Sequence, residues 1–202
     1  DCIILDEAHH SPANTYQKIM NYFTPKLFLG MTATPDKRDD HIEGRNVYEL
    51  FNHQIALEIR LQKAMEEGLL CPFHYFGISD IAMIDDKIFK KKKMSDRDFN
   101  LLTSEERVNQ IIKNAEYYGY SGERVKGLIF CSRNKECDAL SEIFNNRGYR
   151  TLALSSNTPQ KIRKSAFERL AMNEEDATDD FQPLDYIFSV DILNEGVDIV
   201  EV

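Results

Sequence analysis

The sequence contains no long apolar run. A membrane-spanning helix needs roughly 20 consecutive apolar residues, so no membrane span is predicted. The first residues resemble neither a secretory signal nor a transit peptide. With 42% hydrophobic and 29% charged residues among 202, the composition is typical of a soluble globular protein that can bury one or two cores.

Cysteine is scarce. The chain has four cysteines, none in a C-x-x-C pair, and three of them lie beside apolar segments where a free thiol is expected to pack as a small hydrophobe. The histidines lack the H-E-x-x-H spacing of zinc hydrolases, so His9 and His10 are poor metal candidates and no zinc site is predicted. Reduced thiols indicate a cytoplasmic protein.

Positive charge is also in deficit, since the formal net charge is −9. This net charge argues against a surface that attracts nucleic acid on all sides, although it is compatible with a narrow basic track. The four lysines at residues 90–93 are better explained as a solvated loop than as a phosphate contact, because no aromatic residue lies among them to stack on bases.

The chain begins with a short apolar run that ends in two carboxylates, Asp6 and Glu7. The run predicts a buried strand that delivers both acids to the edge of a sheet, where ligands of open α/β sheets collect. One acid can hold a hard cation while the other orients a water for attack on phosphorus. A structural alternative is that Asp6 caps the next helix and Glu7 is solvated.

The rest of the chain alternates strand and helix. Ser11 is predicted to cap a helix with Pro12 at its first position, ending near Phe23, and a strand at residues 26–31 leads to Thr32-Ala33-Thr34. An aromatic strand is expected within residues 68–78. Further strands are predicted at residues 127–131, 150–155 and 184–189, and helices at 61–67, 104–118, 134–146 and 159–171. This βαβ repetition predicts an α/β fold with a parallel sheet.

Several segments resemble motifs of superfamily 2 helicases and translocases. The tetrad Asp6-Glu7-Ala8-His9 resembles their second motif (Walker B), and Thr32-Ala33-Thr34 resembles their third. Weaker matches are residues 127–133, similar to the fourth motif, and the polar turn and helix start at residues 155–163. Residues 189–198 resemble the fifth motif. The overall pattern is most similar to DEAH-type helicases of the restriction-enzyme kind, like the type III res subunit.

This resemblance implies two RecA-like lobes and the use of ATP with Mg²⁺. Residues 1–68 would be the carboxy-terminal part of the first lobe, and residues 69–202 most of the second. By resemblance, Asp6 would hold Mg²⁺ through water, Glu7 would act as general base, and His9 would link the acids to the second lobe. Thr32 and Thr34 would couple hydrolysis to domain movement.

Two further sets of residues receive roles from the resemblance. Ser132, Arg133 and Thr158 would contact a nucleic-acid backbone. Glu195, Gly196 and Asp198 would line the nucleotide cleft. From the residues alone, Ser132 is equally well explained as a helix N-cap, and the turn at residues 155–163 as an ordinary cap with a surface arginine.

The sequence departs from the family pattern in places. Val190 stands where many relatives have a threonine. No G-x-x-x-x-G-K-[ST] phosphate loop and no Q-x-x-G-R-x-x-R motif occurs, so the chain is expected to be a fragment that is idle alone. The resemblance implies DNA, double- or single-stranded, as the partner, with no membrane. An RNA helicase and a nucleic-acid-binding module without hydrolysis are the alternatives.

Overall fold

A computed structural model describes residues 1–35, 46–78 and 95–190. The chain divides into two compact units, residues 1–75 and residues 76–202, whereas the sequence placed the boundary near residue 69. Within the described residues, no helix has the length and apolar character needed to cross a membrane.

The first unit is built on two parallel strands, β1 (Cys2–Leu5) and β2 (Leu27–Gly30), which pair in register from Cys2 opposite Leu27 to Leu5 opposite Gly30. Helix α1 (Asn14–Tyr22) connects them, and two short helices follow, α2 (Val47–Leu50) and α3 (Leu61–Glu66). Both predicted strands are present with a helix between them, but the prediction that β1 is buried is wrong, since only Leu5 of β1 is buried and Ile4 is 57% exposed. The pairing brings the ends of the two strands together.

Gly30 ends β2 at a position where a side chain has no room. A Cβ built there would lie 2.6 Å from the Phe51 ring and 2.9 Å from the Ala8 Cβ, both closer than real contacts allow. The absent side chain lets the loop after β1 pack directly on β2.

The predicted start of α1 is wrong. Ser11 and Pro12 precede the helix, which begins at Asn14, and Ser11 instead closes a 3₁₀ turn over Ala8–His10 by donating its N–H to the Ala8 carbonyl. Ser11 is fully buried. The chain forms a 3₁₀ turn immediately after the two acids, so the helix starts two residues later than a cap at Ser11 would place it.

The second unit has a parallel sheet in the order β3-β5-β4. Its strands are β3 (Gly127–Phe130), β4 (Thr151–Leu154) and β5 (Tyr186–Ser189). Its helices are α4 (Asp96–Leu102), α5 (Glu105–Tyr118), α6 (Asn134–Asn146) and α7 (Gln160–Ala171). The predicted α/β fold with a parallel sheet and flanking helices is confirmed.

Helices cover both faces of this sheet. Ile187 and Phe188 are adjacent in β5, so their side chains point to opposite faces. Ile187 packs in a buried cluster with Leu170 of α7, while Phe188 packs with Phe144 of α6 and Val108 of α5. The central strand therefore carries a core on each side.

Two sequence predictions near the start of the second unit differ from the structure. Residues 71–78, expected to include an aromatic strand, have no regular secondary structure and pair with no described strand. Phe76 stacks instead on Tyr118 of α5 at 4.0 Å between ring centroids. Helix α4 was not predicted, although Ser95 and Asp98 form a capping box at its start.

Arg124 connects the end of α7 to the segment before β5. Its side chain is 8% exposed and donates to the carbonyls of Leu170 and Met172 at the end of α7 and of Leu184 before β5. These helix-end carbonyls lack partners within the helix, so one guanidinium satisfies several of them. Burial lowers the pKa of Arg124.

Candidate nucleotide and nucleic-acid sites

The two acids of the first unit lie at the carboxyl end of β1, on a sharply turned backbone. Glu7 adopts a left-handed conformation with φ of 48°, which is strained for a residue with a side chain. The Asp6 Oδ1 accepts the Glu7 N–H at 2.9 Å. Asp6 is exposed and Glu7 is half-buried, so the turn leaves both carboxylates accessible to solvent at the strand end.

His9 is buried beneath these acids and connects them to the next strand. Its Nδ1 lies 3.2 Å from the Glu7 Oε2 and 3.0 Å from the Thr32 Oγ1. The Thr32 hydroxyl also accepts the Thr34 N–H at 3.1 Å. The structure therefore joins Glu7, His9 and Thr32 through direct contacts, with Thr34 attached through its backbone.

The strand ends fix this arrangement. Beyond the β1–β2 ladder, the Met31 N–H donates to the Leu5 carbonyl at 2.9 Å and the Ala8 N–H donates to the Met31 carbonyl at 2.8 Å. These bonds carry the pairing past both strand ends into the 3₁₀ turn that contains His9. The segment that resembles the second motif is thus held against the segment that resembles the third.

Asp6 has the features required of a residue that holds Mg²⁺ through water. It is an exposed carboxylate at a strand end, with Oδ1 fixed by the Glu7 N–H. Mg²⁺ in nucleotide sites keeps several waters and takes most other ligands from phosphates, so one or two carboxylates suffice. Among the described residues, no group of three or more His, Cys, Asp or Glu side chains is placed to hold a metal by itself.

In the second unit, Ser132 and Arg133 follow β3 and precede α6. The N-cap of α6 is Arg133, with no side-chain cap, so the alternative that Ser132 is the N-cap is wrong. The Ser132 N–H and hydroxyl both donate to the Glu136 Oε2, at 3.0 and 2.7 Å. The Arg133 Nη1 donates to the Ser132 Oγ at 3.1 Å.

Glu136 was passed over in the sequence, although it lies one helical turn after Ser132. It is 2% exposed, and its Oε1 accepts from Arg107 of α5 at 3.2 Å. The same Arg107 nitrogen donates to the Leu102 carbonyl at 2.7 Å. A buried carboxylate with a charged partner therefore stands behind the loop that carries Ser132 and Arg133.

Thr158 lies in the turn between β4 and α7. Its Oγ1 accepts the Ser155 N–H at 2.9 Å. Arg163, one turn into α7, donates to the Thr158 carbonyl at 2.7 Å and the Ser156 carbonyl at 3.2 Å. Arg163 thus holds the turn through two backbone carbonyls rather than through the threonine hydroxyl, and Thr158 is half-buried.

The loops with Ser132 and Thr158 lie at one edge of the sheet, because the strands are parallel and both loops follow carboxyl ends. Ser189 ends the central strand between them: its carbonyl accepts the Cys131 N–H at 2.8 Å, and Leu154 pairs opposite it. Glu195, Gly196 and Asp198, predicted to line the nucleotide cleft, lie outside the described residues.

The cysteines divide into two kinds. Cys137 is buried and Cys131 half-buried in the same core cluster, as expected for thiols that pack as small hydrophobes. Cys2 and Cys71 are exposed, against that expectation. A hydrogen bond with Cys137, aided by burial, raises the pKa of the Cys131 thiol, which keeps it protonated and poorly nucleophilic.

Comparison with known proteins gives two family matches at positions that agree with the motifs. Residues 1–37 match the model described as "Type III restriction enzyme, res subunit", and residues 103–202 match "Helicase conserved C-terminal domain". Together these matches support a superfamily 2 helicase of the type III restriction res-subunit kind. The parallel sheet and flanking helices of the second unit are consistent with a RecA-like helicase carboxy-terminal domain.

Two curated relatives match nearly the whole chain at low identity. A Lactococcus phage (isolate 7-9) protein, named only "51.5 kDa protein", is 22% identical over 98% of this chain and 40% of its own length. A Saccharomyces cerevisiae protein named "Putative ATP-dependent helicase IRC3" is 23% identical over 98% of this chain and 28% of its own length. The chain thus spans well under half the length of either relative.

Proposed function

We propose that this chain is part of an ATP-dependent DNA helicase or translocase that couples ATP hydrolysis to movement on DNA. The first compact unit would be the carboxy-terminal part of the ATP-binding lobe, and the second unit most of the other motor lobe. The phosphate loop and the arginine finger, absent from these 202 residues, would come from the rest of the protein. The family matches and the named yeast relative support this proposal.

The contact of His9 with both Glu7 and Thr32 carries the proposal. In hydrolysis, Glu7 would orient the attacking water and accept its proton, and a base does this best when its carboxylate is held in place. The His9 Nδ1, 3.2 Å from Glu7 Oε2, fixes one oxygen and leaves the other to the water. The Thr32 Oγ1 lies 3.0 Å from the same nitrogen, so Thr32 would move with His9 when the Glu7 carboxylate moves.

Asp6 completes the nucleotide side of the proposal. When bound, Mg²⁺ would neutralise charge on the phosphates, as in other nucleoside triphosphatases. The Asp6 carboxylate would hold it through water, and the Asp6–Glu7 hydrogen bond of 2.9 Å would fix the spacing of the two acids. Thr34, whose N–H donates to the Thr32 hydroxyl, would couple hydrolysis at Glu7 to domain movement.

The sheet edge of the second unit would bind the nucleic-acid backbone. Ser132, Arg133 and Thr158 lie in loops that follow the carboxyl ends of β3 and β4, on either side of the central strand β5. A guanidinium and hydroxyls are common phosphate partners. Cleft closure and opening would move this edge along the strand. Glu195, Gly196 and Asp198 keep their proposed place at the nucleotide.

Substitution of Glu7 in the full-length protein tests the hydrolytic role. Glu7→Gln should abolish DNA-stimulated phosphate release and leave nucleotide binding nearly unchanged, because the amide keeps the shape but cannot accept the proton. Glu66→Gln, on the exposed face of α3, removes the same charge away from the acids and should keep full activity. Undiminished turnover in Glu7→Gln would remove Glu7 from the base role.

The choice of DNA is tested by comparing stimulation of the full-length ATPase by duplex DNA, single-stranded DNA and RNA. The proposal expects DNA to stimulate more strongly, and a preference for RNA would replace it with an RNA helicase. The missing phosphate loop favours a second function for the isolated chain, nucleic-acid binding without hydrolysis. Phosphate release by the chain alone should stay at background, and DNA-dependent turnover would contradict that.

A further inference from the structure

We infer that Glu136 and Ser132 are positioning residues that aim the Arg133 guanidinium, and that Arg133 makes the phosphate contact of this loop. These roles rest on the proposed nucleic-acid-binding edge and distinguish the residues that contact phosphate from those that position them. Ser132 then acts through Arg133, and Thr158 is the hydroxyl at this edge that contacts phosphate directly.

The hydroxyl proton of Ser132 is already used in a hydrogen bond to Glu136. It donates to the Glu136 Oε2 at 2.7 Å, and the Ser132 N–H donates to the same oxygen at 3.0 Å. A hydroxyl has one proton, so Ser132 cannot donate to a phosphate without giving up this bond. A phosphate beside Ser132 would also lie close to the Glu136 carboxylate, which repels it.

The oxygen of Ser132 faces the guanidinium instead. Because the Ser132 hydroxyl proton points at Glu136, the lone pairs of Oγ remain as acceptors. The Arg133 Nη1 donates to this oxygen at 3.1 Å. Arginine binds phosphate through a planar fork of N–H donors, so the direction of the fork determines which phosphate it meets. One hydrogen bond near its tip restricts that direction.

Glu136 is held from the other side. It is 2% exposed, and Arg107 of α5, 13% exposed, donates to its Oε1 at 3.2 Å. Arg107 also donates to the Leu102 carbonyl at the end of α4. A series of hydrogen bonds thus connects helices α4 and α5 to the loop that carries Arg133. The Glu136 carboxylate has a charged donor on one oxygen and neutral donors on the other, so it moves little.

Thr158 has the opposite arrangement. Its Oγ1 accepts the Ser155 N–H at 2.9 Å, which uses a lone pair and leaves the proton to donate. Among the described residues, none accepts that proton. The two hydroxyls at this edge are therefore distinguishable: Thr158 can donate to a phosphate as it stands, whereas Ser132 cannot.

The test measures binding of the 202-residue chain to fluorescein-labelled oligo-dT by anisotropy over a series of salt concentrations. Arg133→Ala should weaken binding and reduce the slope of log K against log salt by about 1, the value of one phosphate contact. Ser132→Ala and Glu136→Gln should each weaken binding severalfold. In the Arg133→Ala background, neither should weaken it further, because their effect passes through Arg133.

Charge and folding have separate controls. Glu136→Gln removes a negative charge, so electrostatics alone predicts tighter binding, and Asp138→Asn, exposed on the same helix, should tighten it slightly. Asp185→Asn disrupts a buried carboxylate that binds Arg150 at the amino-terminal edge of the sheet, and should lower stability without changing binding. Ser132→Ala, at an exposed position, keeps the test valid if Glu136→Gln misfolds.

The outcomes separate the inference from the proposed function. A chain that binds no nucleic acid would remove the proposed edge itself. A chain that binds normally while Ser132→Ala has no effect, or weakens binding equally with and without Arg133, would overturn the positioning role alone. NMR of the Arg133 Nε–H without nucleic acid gives a second readout, in which Ser132→Ala should increase side-chain mobility and unchanged order would contradict the inference.

Discussion

The His9 Nδ1 lies 3.0 Å from the hydroxyl of Thr32, a residue 23 positions further along the chain. The contact depends on the parallel pairing of β1 and β2, which places Leu5 opposite Gly30. His9 is 1% exposed and also contacts Glu7, so its buried ring lies in contact with residues at both strand ends.

Removing the Thr32 hydroxyl should loosen this junction. Thr32→Val keeps the shape but leaves His9 and the Thr34 N–H without that partner, at a cost of about 1–2 kcal/mol in local opening free energy. Hydrogen exchange at the Ala8 amide, which donates to the Met31 carbonyl, measures that opening. Thr34→Val, at an exposed side chain, is the control, and equal exchange in the two variants would show that the hydroxyl is not structurally important.

A methyl group at Gly30 should destabilise the first unit. The added Cβ would overlap the Phe51 ring and the Ala8 Cβ, and overpacking of this kind costs about 1–3 kcal/mol. Thermal or urea unfolding of Gly30→Ala measures the loss. Gly77→Ala serves as control because its Cβ would meet no atom within 4 Å, and a Gly30→Ala variant as stable as Gly77→Ala would mean that Phe51 moves aside freely.

Arg124 should be among the most sensitive positions of the second unit. Arg124→Met keeps much of the volume but leaves the Leu170, Met172 and Leu184 carbonyls without their donor, so a loss on the order of 3 kcal/mol is expected. Urea denaturation followed by circular dichroism measures it. Arg97→Met, at an exposed position of α4, should cost little, and similar losses in both variants would refute the role of Arg124.

Local signals predicted much of this fold. Apolar runs located the strands, and the Thr103-Ser104-Glu105-Glu106 pattern located the start of α5, where Ser104 accepts the Arg107 N–H. The same reasoning failed at Ser11, because the left-handed Glu7 turns the chain into a 3₁₀ coil first. A capping residue indicates where a helix can start, but the conformation of the preceding backbone determines whether the helix starts there.

The sequence predicted the site residues that lie close together along the chain, and it did not predict contacts between distant residues. Asp6, Glu7 and His9 lie within one short stretch, and the strand pairing adds Thr32. Glu136 was detectable from its position one helical turn after Ser132, but its partner Arg107 lies 29 residues away on another helix. Such a pair depends on how α5 packs on α6, which periodicity alone does not determine.

Tyr186 should make the second unit sensitive to alkaline pH. Its ring packs beside Gly127 and between Phe144 and Tyr149, and burial raises its pKa to about 12 from an ordinary value of 10. Because the folded state holds the proton more tightly, its stabilising effect is complete below pH ~10 and is lost as pH rises toward ~12. Urea unfolding midpoints across that window should fall more steeply for wild type than for Tyr186→Phe, which cannot ionise. Tyr117→Phe, at an 80% exposed position, should follow wild type, and parallel curves for wild type and Tyr186→Phe would rule out this tyrosine as the alkaline group.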